Sequence, residues 1–250
     1  MFYSSGIYRR QDDTLEEAQQ NKVDRVLELL DARHGESVLE IGCGWGGLAK
    51  AMAETGAGAI TALTLSKEQR AATAKRLSQN GLDAKVDLRL QDYRDVDGKY
   101  DRIVSIEMIE AVGSKYWPVY FAALRDRLAQ NGHVVLQAIT IEDWRFENYL
   151  KTPDFIQCHI FPGGALPCPA ALQDEANRAG LHLETIETFG HDYARTLVAW
   201  RRRFHENYDR IEALGFDASF RRLWDYYLCY CEGGFRAGAI DVGLYRLTHA

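Results

Sequence analysis

An α/β fold, with a mostly parallel sheet covered by helices on both faces, is what this sequence predicts, and three observations predict it. Strand-like and helix-like segments alternate as far as Thr140. A hydrophobic strand, Val38-Leu39-Glu40-Ile41, runs directly into glycines that open a helix. The 250 residues are 46% hydrophobic and 26% charged, which supports a large core and excludes disordered and fibrous classes.

The elements follow in order. Thr14 to Asp31 opens with a helix-start signature, Thr14 before Glu17, and places Val23, Val26, Leu27 and Leu30 on one face. Strands lie near Ser37 to Ile41, Ala59 to Thr64, Val86 to Gln91, Arg102 to Ile106 and His133 to Ile139. Between them are helices around Leu48 to Glu54, Lys67 to Asn80 and Val119 to Ala129, the second closed by Gly81. After the fifth strand the alternation stops. Ile141 to Pro169 holds Pro153, Pro162, Pro167 and the Gly163-Gly164 pair, and reads as one long connection of the kind used as a binding loop or lid. The aromatic- and arginine-rich last third reads as helices around Tyr193 to Tyr208 and Ala218 to Tyr230, then a strand near Ile240 to Leu247. No repeat or low-complexity linker divides the chain.

Charge and cysteines narrow the class. Net charge is −6, yet from Arg195 onward nine arginines exceed seven acidic residues. Arg201, Arg202 and Arg203 are the densest cluster, readable as a solvated helix face or as a phospholipid-facing patch. No nucleic-acid partner is expected. The best apolar run, Val134 to Ile141, is short and interrupted by Gln137 and Thr140, so nothing spans a bilayer. The opening MFYSSGIYRR lacks the pattern of a signal peptide, and a cytoplasmic location is expected. Cys43, Cys158, Cys168, Cys229 and Cys231 are odd in number and without CxxC spacing, which points to a reduced compartment and to no metal site or disulfide framework.

Gly42, Gly44 and Gly47 satisfy GxGxxG, so a nicotinamide dinucleotide must be weighed. A dinucleotide site adds an acid about 20 positions on to hold the ribose. Here the second strand ends in Thr64-Leu65-Ser66, and the carboxylate is Glu40, before the first glycine. An acid followed by GxG resembles motif I of class I S-adenosylmethionine-dependent methyltransferases. A structural glycine turn is the plain alternative.

Longer segments sharpen the resemblance. Tyr3-Ser4-Ser5, LEEAQ from Leu15, EIGCGWGGLA from Glu40, TLSKEQ from Thr64, QDYRD from Gln91 and YDRIVSIEMIEAVG from Tyr100 resemble the cyclopropane-fatty-acyl-phospholipid synthase family. So do DFIQCHIFPGG from Asp154, FGHDYARTLVAW from Phe189 and LGFDASFRRLWDYYLCYCEGGFR from Leu214, in order and over nearly the whole chain. The resemblance implies a Rossmann-like class I methyltransferase fold with a mostly parallel seven-stranded sheet and a helical or loop insertion after the fifth strand. It implies one catalytic domain over 1–250, with an N-terminal lid and helix (1–35), a cofactor-binding half (36–140) and a substrate-binding half (141–250). It further implies methyl transfer from S-adenosylmethionine to a double bond in an unsaturated phospholipid acyl chain, peripheral attachment to the membrane, and room for a homodimer. The product is left open between cyclopropane, methyl-branched and methylene chains.

An isolated alkene is a poor nucleophile, so the sulfonium must be held in line with it in a dry site. Transfer leaves a carbocation, which aromatic faces stabilise; Tyr193, Trp117 and Phe155 are candidates, with core packing as the alternative use. Ring closure needs a base. The resemblance implies a bound bicarbonate held by Glu110, Tyr193, the backbone at Ile139, Gln137 and Ser5. Ser5 stands where the family has cysteine and Gln137 where many bacterial members have histidine; both can donate a hydrogen bond, and glutamine cannot ionise. For S-adenosylmethionine the resemblance implies Glu40 of motif I as a cofactor residue, Gly42 and Gly44 along the methionine, Tyr3 and Ser4 over the methionine end, Thr64, Leu65 and Gln69 at the ribose and adenine, and Gln91, Asp92 and Tyr93 beside the adenine. Asp92 could equally cap a turn, and Cys43 reads as a small structural residue. Two other functions stay open: a methyltransferase of the same fold for a soluble molecule, and a lipid-binding protein without turnover.

Overall fold

The computed structural model describes residues 1–250. α1 (Leu15–Leu30) begins on the capping box its sequence announces: the Thr14 hydroxyl accepts from the Glu17 amide, and the Glu17 carboxylate accepts from the Thr14 amide. β1 (Val38–Ile41), α2 (Gly47–Thr55), β2 (Ile60–Thr64), α3 (Lys67–Gln79), β3 (Val86–Leu90) and β4 (Tyr100–Ile106) follow the expected alternation. Past the end of α3, Gly81 adopts φ 66°. Its amide donates to Ser78 O at 3.1 Å and the Leu82 amide to Leu77 O at 3.0 Å, the paired bonds of a Schellman turn that need a left-handed residue there.

A single turn, α4 (Ile109–Val112), precedes α5 (Trp117–Arg127) and β5 (Leu128–Ile141). Pro118 in the first turn of α5 sets a start two residues earlier than the apolar pattern suggests. The stretch after β5 corrects the expectation of one long connection. It forms α6 (Asp143–Lys151), α7 (Phe155–His159) and the start of α8 (Pro169–Arg178), which leads into a strand not read from the sequence, β6 (Leu181–Thr188). α9 (Gly190–Glu206), α10 (Tyr208–Glu212), α11 (Ala218–Arg236) and β7 (Ile240–His249) complete the chain.

One seven-stranded sheet runs β3-β2-β1-β4-β5-β7-β6, with only the β5–β7 and β7–β6 pairs antiparallel. Alternate strand residues feed opposite layers. Leu39, Ile103, Val134 and Leu136 pack with α5 and α8. Val38, Val104 and Val135 pack with α1, α2 and α3. A third cluster joins α9 and α11 through Tyr193, Leu197, Leu228 and Phe235. The chain moves outward from β1 to β2 and β3, then returns to β4 on the other side, so β1 and β4 flank the point where strand order reverses. In an open α/β sheet the crevice at the carboxyl ends of such strands is where ligands bind.

Candidate active site

At that crevice Glu40 is the last but one residue of β1, and the turn after Ile41 is built from left-handed glycines: Gly42 at φ 85°, Gly44 at 52° and Gly46 at 74°. The amides of Gly42 and Cys43 both donate to Leu63 O, at 3.1 and 2.8 Å, which ties the turn to β2. A Cβ on Gly44 would stand 3.0 Å from the Tyr3 ring, and one on Gly47 would collide with Phe2. The third glycine of the GxGxxG pattern thus makes room for the protein's own N-terminal segment. Burial and the neighbouring Glu40 carboxylate push the Cys43 thiol up to about 12, so it stays protonated and inert.

The N-terminal segment lies across this turn and is fastened residue by residue. Lys22 Nζ lies 4.3 Å above the Phe2 ring and donates to Ser4 Oγ at 2.8 Å. Gln19 holds the Ser4 carbonyl, and the Gly6 and Tyr8 amides donate to Thr196 and Asp192 of α9. Lys22 occupies the inward stripe of α1 with Gln19, Val23, Val26 and Leu30; burial lowers it to about 8, against the pull of Glu107 and Glu40.

The centre of the site is a carboxylate that the sequence reading missed. Glu107, immediately after β4, has φ 48°, a left-handed conformation rare for a side chain of this kind. Its amide donates to Gln137 O at 2.8 Å. Its Oε1 accepts from the Ser5 amide at 2.9 Å and Gln137 Nε2 at 2.7 Å, and its Oε2 from the Tyr193 hydroxyl at 2.7 Å. The Tyr193 ring stacks on Phe235 at 4.5 Å. Tyr193 is pushed well above its usual value, by burial and by that carboxylate, and remains a hydrogen-bond donor.

Glu110 has different surroundings. Its Oε1 accepts the Ile139 amide at 2.6 Å, and its Oε2 has no partner. Removal from water, then the Glu107 charge, raise it to about 8, so it carries a proton at neutral pH. Glu107 is raised by burial too, but the Ser5 amide, Tyr193, Lys22 and Gln137 all pull it back. In this coupled pair the donors place the negative charge on Glu107. Glu40, also buried and raised to about 8, leaves its Oε2 unpartnered.

These positions differ from what the resemblance implied. The Ser5 hydroxyl donates to Gly6 O, and it is the Ser5 amide that faces the site. The donors of Gln137 and Tyr193 end on Glu107 and the Ile139 amide on Glu110. A bicarbonate would have to share these donors with a carboxylate already among them, and the residues present do not fit it. Trp117 is buried in the core, its indole N–H donating to Ile109 O, and Phe155 packs on Tyr226 and Tyr230; neither lines the cavity.

The cavity measures about 1120 Å³, above the usual range for a site that holds one small molecule. Tyr3, Ser4, Glu40, Gly42, Gly44, Glu107, Glu110, Ile139 and Tyr193 all line it. Thr64, Leu65, Gln69, Gln91, Asp92 and Tyr93 do not. Thr64 Oγ1 donates to Gln69 Oε1, and Gln69 Nε2 reaches the Tyr3 hydroxyl at 3.3 Å, so this pair adjoins the cavity through Tyr3. Asp92 caps the turn at Tyr93 and pairs with Arg94, Gln91 donates to Asp95 O, and Tyr93 packs edge-on against Tyr120. At the opposite end the wall is mostly apolar, Ile156, Ile160 and Leu166 beside Arg145, Asn148 and Asp154, and includes Trp144 and Phe161, 72% and 54% exposed. The arginine cluster is internally paired, Arg201 with Asp225, Arg202 with Glu206 and Arg203 with Glu16, which favours the solvated-face reading over a lipid patch. No group of three or more His, Cys, Asp or Glu side chains is placed to hold a metal ion, and no helix is long and apolar enough to cross a membrane.

Comparison with known proteins bears on this geometry. Residues 1–244 match the family model described as mycolic acid cyclopropane synthetase. A tuberculostearic acid methyltransferase of Mycobacterium tuberculosis is 45% identical over 226 residues, 90% of this chain and 53% of that protein. A cyclopropane-fatty-acyl-phospholipid synthase of Escherichia coli is 37% identical over 238 residues, 95% of this chain and 60% of that protein. The chain thus spans between half and two thirds of these relatives' length. The crystal structure of a mycolic acid cyclopropane synthase complexed with SAH and CTAB superposes with a TM-score of 0.90 at 29% identity, covering 98% of this chain and 89% of that one.

Proposed function

Because the chain belongs to the mycolic acid cyclopropane synthetase family, we propose that it is an S-adenosylmethionine-dependent C-methyltransferase acting on the double bond of unsaturated phospholipid acyl chains. The observation that carries this reading is the single cavity that joins the glycine turn, the Glu107–Glu110 pair and an apolar mouth. A cofactor site alone would need no such mouth.

The residues fit a sulfonium ligand. Gly42 and Gly44 leave backbone open where a Cβ would intrude, Glu40 offers a buried carboxyl oxygen without a partner, and the Glu107 carboxylate lines the same cavity. Glu40, Gly42, Gly44, Tyr3 and Ser4 would hold the methionine end. Thr64, Leu65 and Gln69, at the carboxyl end of β2, and Gln91, Asp92 and Tyr93, after β3, would hold the ribose and adenine. Bound there, S-adenosylmethionine supplies an electrophilic methyl. The largely apolar wall would exclude water, and Tyr193, which lines the cavity, would offer its ring to a substrate cation. Glu110, held by Ile139 and protonated, offers a neutral donor beside it. Residues 1–250 act as one catalytic unit in this reading, and the exposed Trp144 and Phe161 rest on the membrane surface where an acyl chain is drawn in.

Mass spectrometry of lipids from cells expressing the protein tests the proposal. The expected result is a gain of one CH₂ on monounsaturated chains, with degradation of residual double bonds separating ring from methylene. A protein that leaves phospholipid untouched but methylates a water-soluble alkene or amine has the soluble function instead.

A further inference from the structure

The deprotonation that completes the reaction needs a base, and the cavity wall of this chain holds a buried carboxylate, Glu107. We propose that the Glu107 carboxylate is the base, occupying the seat that a bound bicarbonate would otherwise fill. The inference rests on the C-methyltransferase reading above.

Geometry supports it in three ways. Three donors converge on its two oxygens, at 2.7 to 2.9 Å, fixing the carboxylate and leaving one of its roughly four lone-pair sites free. Glu107 lines the cavity next to Met108 and Glu110. Its backbone is held in the left-handed region by the Gln137 carbonyl and by the side chain's own three bonds, and a strained, over-determined residue of this kind marks a functional position. Adding a second anion among the same donors would place like charges together in a site of low polarity. Glu110, with one donor and an unpartnered oxygen, has the surroundings of a neutral acid and leaves the base role to its neighbour.

The step balances without further reagents. Methyl transfer leaves a cation on the adjacent alkene carbon. Glu107 takes a proton from the added methyl, and the C–H electron pair forms the third bond of a cyclopropane. If a hydride first moves from the methylated carbon to its neighbour, the same pair forms a C=CH₂ double bond, a methylene branch on the linear chain. The proton resides on Glu107 until product leaves.

Two measurements on the full chain test this. In the first, ¹³C-bicarbonate is titrated into the protein and observed by NMR, which needs no lipid. The wild type should show no binding and Glu107→Gly should acquire it. Glycine adopts φ 48° without strain, so that variant keeps the turn. In the second, turnover is followed in carbon-dioxide-depleted buffer. The wild type should be indifferent to added bicarbonate, and Glu107→Gln should lose about 10²- to 10⁴-fold in kcat with S-adenosylmethionine affinity retained. Glu107→Gly should be equally slow and recover with bicarbonate or formate, a rescue that a merely structural role would not give. Wild-type binding of bicarbonate, or near-normal turnover by Glu107→Gln, overturns the proposal. A wild type inactive on every unsaturated lipid refutes the substrate assignment instead, and the binding comparison still decides what fills the seat.

Discussion

The two ends of the cavity are built by opposite means. At the glycine turn the backbone itself is the wall: positive-φ glycines, two amides on the Leu63 carbonyl, and side chains such as Cys43 and Leu48 at 5% exposure. At the mouth, α6 and α7 bury none of their residues, and large aromatics face outward. The contrast separates tasks. The end that must position reacting atoms is fixed by strand ends and turn conformation, while the end that must admit a long flexible chain has little burial to hold it in one place.

The largest expected effect breaks the rigid end. Gly44→Asp places a charged side chain against Tyr3 and in the ligand's space. S-adenosylhomocysteine at a hundredfold excess over Kd should stabilise the wild type by about 2.7 kcal/mol in thermal melts and the variant not at all, with turnover abolished. Nicotinamide dinucleotides should shift neither.

A smaller effect separates the two acids. Glu110→Gln replaces a protonated acid by a neutral amide that can still accept from Ile139, so it should cost less than about tenfold in kcat, far below the loss at Glu107. The same variant has a signature in stability. Folded Glu110 keeps its proton up to about pH 8, whereas the unfolded chain releases it near 4.5. The folded state therefore binds more protons in that window, and stability falls as pH rises through it, by at most about 1.4 kcal/mol per pH unit for one group. Denaturant unfolding between those limits should show a shallower decline for Glu110→Gln, and likewise for Glu40→Gln. Lys22 acts above that window: lowered from 10.5 to about 8, it makes stability rise with pH between those values.

The smallest effect belongs to the mouth. Trp144→Ser with Phe161→Ser should raise KM for vesicle lipid several-fold, while each exposed substitution changes stability by no more than about 0.5 kcal/mol. Because Arg201, Arg202 and Arg203 are internally paired, co-sedimentation with anionic vesicles should respond only weakly to salt, unlike a patch of free arginines at about 1 kcal/mol each.

What could be read in the sequence follows the same division. The first five strands, the Thr14 cap and the glycine turn rest on neighbours within a few residues, and each is legible. α7 also announces itself, since Asp154 and Gln157 form a capping box, but its five residues carry too short an apolar pattern to register. β6 alternates buried Leu181 and Leu183 with exposed His182 and Glu184, a strand signal obscured by the glutamates that follow. Glu107 was out of reach for another reason: its partners Ser5, Gln137 and Tyr193 lie 102, 30 and 86 residues away. Only the fold brings them together. Lys22 did leave a trace, a cation at helical spacing within an apolar stripe, where an unpaired charge is costly enough to demand a partner.

The reversed direction of β7 has a practical consequence. Its first residue, Ile240, pairs with Ile141 at the cavity, and its ten residues then run to the opposite end of the strands, roughly 30 Å away at about 3.4 Å per residue. A fluorescent reporter or affinity tag joined after Ala250 would therefore stand clear of both lipid and cofactor. The same tag joined at Met1 would pull on Phe2 and Tyr3, the residues that lie across the glycine turn.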